Sequence, residues 1–289
     1  MKMRKQLSKG RKLQGTRSLA KLAKTINARV RSEKKAAAAL ETTTEQRVPG
    51  PSKPKQTMPY SAHDRILLVG EANFSFMHAL LVLFQDTPDE ERGGLVGTSL
   101  DALDTLTEKY GEDCLEHIAL CREAGYHVYH KVDAANLSAY KFLRNQRFSK
   151  IVFNFPHTGS GIKDKRLNIL KQQALIQAFL ESASSLLDPS HGEIHITTKT
   201  GDPYDLWDIK KIAKKLGLEC KTSFKFFPEL YPGYKHRRTL GWKEGVSADD
   251  NSEILKGGPP RTFCFTLPNQ NKLEGKGKGT QSRDAEDSE

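Results

Sequence analysis

The chain has 289 residues, with 46 Lys and Arg against 35 Asp and Glu, a formal charge of +11. Its 37% hydrophobic residues, 13 Phe among them, can bury a core and exclude a wholly disordered chain. No run approaches the ~18 apolar residues of a membrane span, no apolar segment resembles a secretory signal, and the four cysteines include no C-x-x-C pair; a soluble intracellular protein with reduced thiols and no metal is expected.

In chain order, the charge comes first. Residues 1–60 hold 16 Lys and Arg against Glu33, Glu41 and Glu45, so the rest of the chain is slightly acidic. With no aromatic before Tyr60 and a Pro/Gly/Lys-rich stretch over 48–59, this segment reads as a disordered basic tail. Such a tail suits RNA phosphates and a nuclear or nucleolar address, or serves only for solubility. Residues 61–268 amount to one domain, and 269–289 form a second disordered tail.

Within the domain, Arg65–Gly70 is an apolar run ending in Gly, the pattern of a buried parallel strand. The turn Glu71–Ser75 leads into a helix over 76–85. A second strand, 94–101, ends at Asp101, and helices over 102–110 and 112–124 stop at Gly111 and Gly125. A third strand, 126–133, ends at Asp133, and a fourth, 150–155, is closed by Pro156. Next come a helix over 168–187, a fifth strand over 193–199 and a helix over 205–216 capped by Asp205. Strands over 218–226 and 261–267 follow, the last a candidate for antiparallel pairing at the end. Strands alternating with helices predict a doubly wound α/β domain: a mostly parallel sheet of about seven strands with helices on both faces.

Such sheets bind ligands outside the carboxyl ends of their strands, so the residues after each strand carry the information. The first loop, Gly70, Glu71, Ala72, Asn73, Phe74 and Ser75, is small enough for a close backbone approach, but lacks the G-x-G-x-x-G and G-K-[ST] fingerprints. Asp101 suits the ribose hydroxyls of a nucleoside cofactor, and Asp133 an adenine amino group, although acids at strand ends often serve turns alone. With Asn154-Phe155-Pro156 after the fourth strand, the series favours S-adenosylmethionine over NAD.

Four stretches, Ile66–Phe76, Ile151–Gly159, Gly192–Tyr204 and Tyr231–Thr239, closely resemble the ribosomal RNA uridine-N3 methyltransferase family over roughly residues 63–267. The resemblance implies a class I, Rossmann-like methyltransferase using S-adenosylmethionine on large-subunit rRNA or a pre-ribosomal particle, in the nucleolus. One departure is Ala72, where the family usually has Gly; a left-handed backbone there would cost an Ala about 1 kcal/mol. That single feature supports a rival, an rRNA-assembly factor that kept the fold and lost catalysis. An NAD(P) oxidoreductase is disfavoured by the missing fingerprint.

Uridine N3 carries a proton and sits in the Watson–Crick edge, so the base must be splayed from its stack. Asn154 is expected to hold that edge. Phe155 either stacks on the ring or belongs to the core, and Pro156 shapes the turn. His157 either helps remove the N3 proton or is a loop histidine bonded to backbone. Lys199 either touches phosphate or points to solvent. Tyr231, Tyr234, Lys235, His236, Arg237 and Arg238 have the composition of an RNA-gripping loop, or of a surface loop anchored by its tyrosines. Residues 164–167 read as a flap over the pocket or as a charged lead-in to a helix, and Cys114 and Cys121 as core residues.

Overall fold

The computed structural model describes residues 58–268; the expected tail 1–60, apart from its last three residues, and the expected tail 269–289 lie outside the described residues. The apolar runs seen in the sequence become seven strands: β1 (Ile66–Leu68), β2 (Leu95–Thr98), β3 (His127–Tyr129), β4 (Lys150–Asn154), β5 (Glu193–Thr198), β6 (Glu219–Lys225) and β7 (Arg261–Thr266). They form one sheet in the order β3-β2-β1-β4-β5-β7-β6. The first five are parallel to one another, and β7 is antiparallel to both β5 and β6. The antiparallel strand is therefore inserted next to the edge, with β6 outermost.

The helices are α1 (Ser75–Phe84), α2 (Leu103–Tyr110), α3 (Glu112–Glu123), α4 (Lys141–Arg144), α5 (Lys165–Ser184), α6 (Ile209–Lys215) and α7 (Ser252–Leu255). Because successive strand residues face opposite sides, β1 sends Leu67 to one face and Ile66 and Leu68 to the other. On the first face Leu67, Ile151 and Phe153 pack with Ile176, Phe179 and Leu180 of α5 and Ile209 and Ile212 of α6. On the second, Ile66, Leu68 and Val152 meet Phe76, Met77 and Leu80 of α1 and Cys114, Ile118 and Cys121 of α3. Each fully buried Leu, Ile or Phe contributes roughly 1.5–3 kcal/mol, so the two layers hold the strand ends in a fixed array.

Some elements differ from the sequence reading. Helix α5 starts at Lys165 because the Asp164 side chain accepts from the Leu167 amide at 2.7 Å, so residues 164–167 are a capped first turn. The helix expected from Asp205 is broken: Tyr204–Trp207 form a 3₁₀ turn, Asp208 takes a left-handed conformation, and α6 starts only at Ile209. Asp205 is not its cap, since its carboxylate accepts from the Gly201 amide. Strand β3 ends at Tyr129, and Tyr60, expected at the end of the tail, is buried against Phe76 and His195.

Candidate active site

At the carboxyl end of β1 the chain turns at Gly70, whose φ is +70°. A Cβ there would lie 2.4 Å from the Phe153 ring, so conformation and space both require glycine. Ala72 is not among the residues with positive φ, which removes the strain expected of an alanine at that position. Asn73 braces the loop: its Oδ1 accepts from the Ser75 hydroxyl at 2.8 Å, and its backbone carbonyl lies 2.9 Å from His117 Nδ1. The Glu71 carboxyl is buried in the same loop, and burial pushes its pKa up to about 7.

Strand β4 delivers Asn154 beside this loop. Its Nδ2 and Oδ1 are both shut off from solvent without a hydrogen-bond partner. Phe155 follows with a left-handed backbone, φ +51°, fixed by its amide donating to the Thr197 carbonyl at 2.7 Å. Its ring meets Phe226 and His236 edge-on. Gln172, fully buried on α5, steadies the turn: its Nε2 donates to the Pro156 carbonyl and its Oε1 accepts from the Thr158 amide. Sequence reading missed Gln172; the available signal was a Gln on the apolar face of a long helix.

Two cavities share the Phe155 wall. The smaller, about 80 Å³, lies over Gly70–Asn73 and is bordered by Asp101, Asn154 and the segment Tyr234–Arg237. The larger, about 360 Å³, lies beyond Phe155 and is lined by Pro156, His157, Lys199, Tyr204, Trp207 and Arg238, among others. His236, Arg237 and Thr239 border both. The segment 234–239 thus straps across the strand ends. Ser75 Oγ accepts from the Lys235 amide, Tyr110 Oη donates to the Arg238 carbonyl, and Asn251 holds the Tyr234 carbonyl and the His236 amide.

Charge in the larger cleft is mostly positive. Lys199 and Arg238 both approach Glu253, at 3.6 and 3.5 Å, and burial holds the Lys199 pKa below its usual value. Burial, with Lys199, Arg237 and Arg238 nearby, pulls His236 down to about 3, so its imidazole is neutral. Partial desolvation, with Arg238 and Lys199 nearby, also lowers the pKa of the exposed His157, whose Nδ1 accepts from the Gly159 amide at 2.9 Å. A neutral His157 in that geometry carries its proton on Nε2 and presents a donor to its surroundings.

Several expected residues do other work. Phe74 is a core residue edge-on to His130, and Ser75 ties the first loop to the strap; neither lines the smaller cavity. Asp133 caps a 3₁₀ turn through the Ala135 amide and is exposed, because β3 ends before it. Tyr231 is buried against Tyr60, Phe76 and Phe226, so it is closed to a base. Tyr234 is buried in the same cluster and reaches the smaller cavity. Asp101 borders the smaller cavity while paired to Lys109 at 2.7 Å, and Lys235 approaches Asp113.

The family model described as BMT5-like rRNA (uridine-N3-)-methyltransferase matches residues 67–238, more than half of the chain, a span that includes Gly70, Asn154 and Arg238. The chain belongs to that rRNA (uridine-N3-)-methyltransferase family. It is 38% identical over 210 residues to an uncharacterized protein of Arabidopsis thaliana, covering 72% of this chain and 94% of the relative. It is 27% identical over 283 residues to the 25S rRNA (uridine(2634)-N(3))-methyltransferase of Saccharomyces cerevisiae, covering 80% and 81%. Among solved structures, a fibrillarin/Nop5p complex aligns at 11% identity with a TM-score of 0.42, over 74% of this chain and 77% of that one. As a member of this rRNA uridine-N3 methyltransferase family, the chain is a Rossmann-like, S-adenosylmethionine-dependent enzyme. Among the described residues no helix is long and apolar enough to cross a membrane.

Proposed function

We propose that the methyl acceptor is a splayed uridine of large-subunit rRNA in the nucleolus, with the cofactor over Gly70–Asn73 and the base in the cleft beyond Phe155. The observation that supports this most is Asn154. A sealed amide with neither donor nor acceptor satisfied costs about 1–3 kcal/mol, and it borders the smaller cavity next to Phe155, the wall that both cavities share. An imide edge offers the acceptor and donor that this amide lacks.

The residues fit S-adenosylmethionine. Asp101 can take ribose hydroxyls, and Glu71 offers a carboxylate to a cationic ligand. The cavity of about 80 Å³ is below the ~300 Å³ of ordinary ligand sites, so the strap 234–239 must yield on loading. When bound, the cofactor supplies an electrophilic methyl on a positively charged sulfur. Asn154 holds the imide edge, Phe155 flanks the ring, and Lys199 and Arg238 favour the anionic uracil as the N3 proton leaves. His157, protonated on Nε2, acts as a donor to a carbonyl, so the N3 proton passes to water. The assembly-factor reading loses its support, because Ala72 is unstrained.

Methylation at N3 blocks the Watson–Crick edge, so reverse transcription of rRNA treated with the enzyme and S-adenosylmethionine should stop at one uridine. Asn154→Ala should remove that stop, lowering the rate at least 100-fold, about 2.7 kcal/mol, with cofactor affinity nearly unchanged. Methylation on a 2′-hydroxyl or at C5 would overturn the reading.

A further inference from the structure

Behind the cation-lined cleft stands a second buried polar group that the reaction scheme leaves unused. Trp207 forms part of the cleft wall and is 3% exposed, and its Nε1 has no hydrogen-bond partner and is shut off from solvent. It ends the 3₁₀ turn Tyr204–Trp207, directly before the left-handed Asp208 that interrupts the expected helix. A continuous helix through 205–216 would have placed this side chain differently; the break fixes the indole at the cleft. The Tyr204 ring lies edge-on to it at 5.0 Å and is only half-buried.

An indole N–H can donate and never accept. Lys199 and Arg238, which line the same cleft, are also donors only. The one acidic neighbour in this lining, Glu253, is already approached by both cations. The cleft therefore suits a ring whose edge shows acceptors. Uracil shows two, O2 and O4, on either side of N3. Cytosine shows an amino donor in place of O4, which would meet donors and leave buried polar groups unpaired.

We infer that Trp207 reads a carbonyl of the target base through its indole N–H and so selects uridine over cytidine. This rests on the proposed placement of the base beyond Phe155. The carbonyl reaches the nitrogen once the entering base moves the Tyr204 ring aside. Trp207 is a specificity-determining residue, and its loss leaves methyl transfer possible on a base held by Asn154.

The test uses the full chain, S-adenosylmethionine and an RNA oligonucleotide spanning the mapped uridine, made with uridine, 2-thiouridine or 4-thiouridine at that position. Sulfur accepts hydrogen bonds weakly, and its intrinsic effect on N3 acidity is common to every protein variant and cancels between them. Trp207→Phe should lower kcat/KM on uridine about 10–100-fold with unchanged Tm and cofactor affinity. One of the two thio substitutions should lower the wild-type kcat/KM relative to Trp207→Phe by a similar factor, naming the carbonyl read. A Trp207 replaced by benzothienylalanine, which keeps the bicycle and loses only the N–H, should behave as Trp207→Phe does and decides the matter if the Phe variant folds poorly. Wild-type kcat/KM in the benzothienyl variant, or equal thio effects in variant and wild type, would overturn the inference. A wild-type enzyme that leaves uridine N3 unmodified would instead overturn the function proposed above, so the two failures are distinct.

Discussion

The two ends of β4 and β5 treat buried polar groups in opposite ways. At the amino end, Glu193 accepts from Lys150 at 2.8 Å, lies 3.0 Å from His195 Nε2 and pairs with Lys221 at 2.5 Å, while His195 Nδ1 meets the Tyr60 hydroxyl at 3.2 Å. Glu193, His195 and Cys264 bring their ligand atoms within 4.8 Å of one another, a grouping that could hold a metal. The two lysines already supply the countercharge, and burial pushes the Cys264 thiol up to about 12, away from the thiolate a metal needs. At the carboxyl end, the Asn154 amide, Asn73 Nδ2 and Trp207 Nε1 have no partner. Within one sheet, satisfied polar groups mark where the fold is held, and unsatisfied ones mark where something is to be received.

The contrast breaks most visibly by removing Glu193. Glu193→Ala leaves Lys150 unpaired and should cost about 3–5 kcal/mol in urea unfolding, with little change in activity per folded molecule. The His195 hydrogen bond, with Lys150 and Lys221, holds the Glu193 carboxyl well below its ordinary value of 4.5, so its contribution is full above that value and is lost as the pH falls further. An unchanged unfolding midpoint would erase the distinction between the two ends. Asn154→Ala, in contrast, should leave Tm unchanged or slightly raised, because the unpaired amide adds nothing to the fold.

Glu71 sharpens the comparison from the other side. Its folded pKa is raised from 4.5 to about 7 by burial, so the protonated form favours folding below 4.5 and that advantage is lost as the pH rises through 7. Glu71→Gln should therefore stabilise the protein by about 3 kcal/mol at pH 8–9 and hardly at all at pH 4–5. Thermal melts across that range decide it; a pH-independent difference would mean that Glu71 is not desolvated.

A smaller effect is expected at Asp101. Asp101→Ala should weaken S-adenosylmethionine by about 1–3 kcal/mol in calorimetric titration, from hydroxyl bonds left unmade. Part of the side chain is already committed to Lys109, which also donates to the Thr239 carbonyl, so the variant should loosen the strap as well. An unchanged cofactor affinity would place the ribose elsewhere.

The parts of this arrangement legible in sequence are those written in contiguous residues. Ile66–Leu68 and Ile151–Phe153 announce buried strands, and Asn154 stands out because a polar residue ending such a strand needs partners. What was hidden depends on distant residues meeting. Tyr231 and Tyr234 sit among cations in sequence and look like RNA contacts; only the fold brings Tyr60, Phe76 and Phe226 around them. Asp208 hides its left-handed backbone behind a helical pattern continuing through Ile209, Ile212 and Ala213. Asp133 looked like a cofactor acid because nothing local shows that β3 stops at Tyr129.

The strap has a thermodynamic consequence. His236, Arg237 and Thr239 are at once walls of the smaller cavity and walls of the larger cleft. A ligand that shifts them in one changes the shape and charge of the other, so with cofactor and base placed as proposed above, their affinities are expected to be coupled. Whatever factor one ligand imposes on the other's binding is returned in equal measure. Because the first loop is bonded to Lys235 through Ser75, and α2 to Arg238 through Tyr110, the carrier of the coupling is the continuous strap 234–239. In that arrangement methyl donor and methyl acceptor would sense each other before any bond is made.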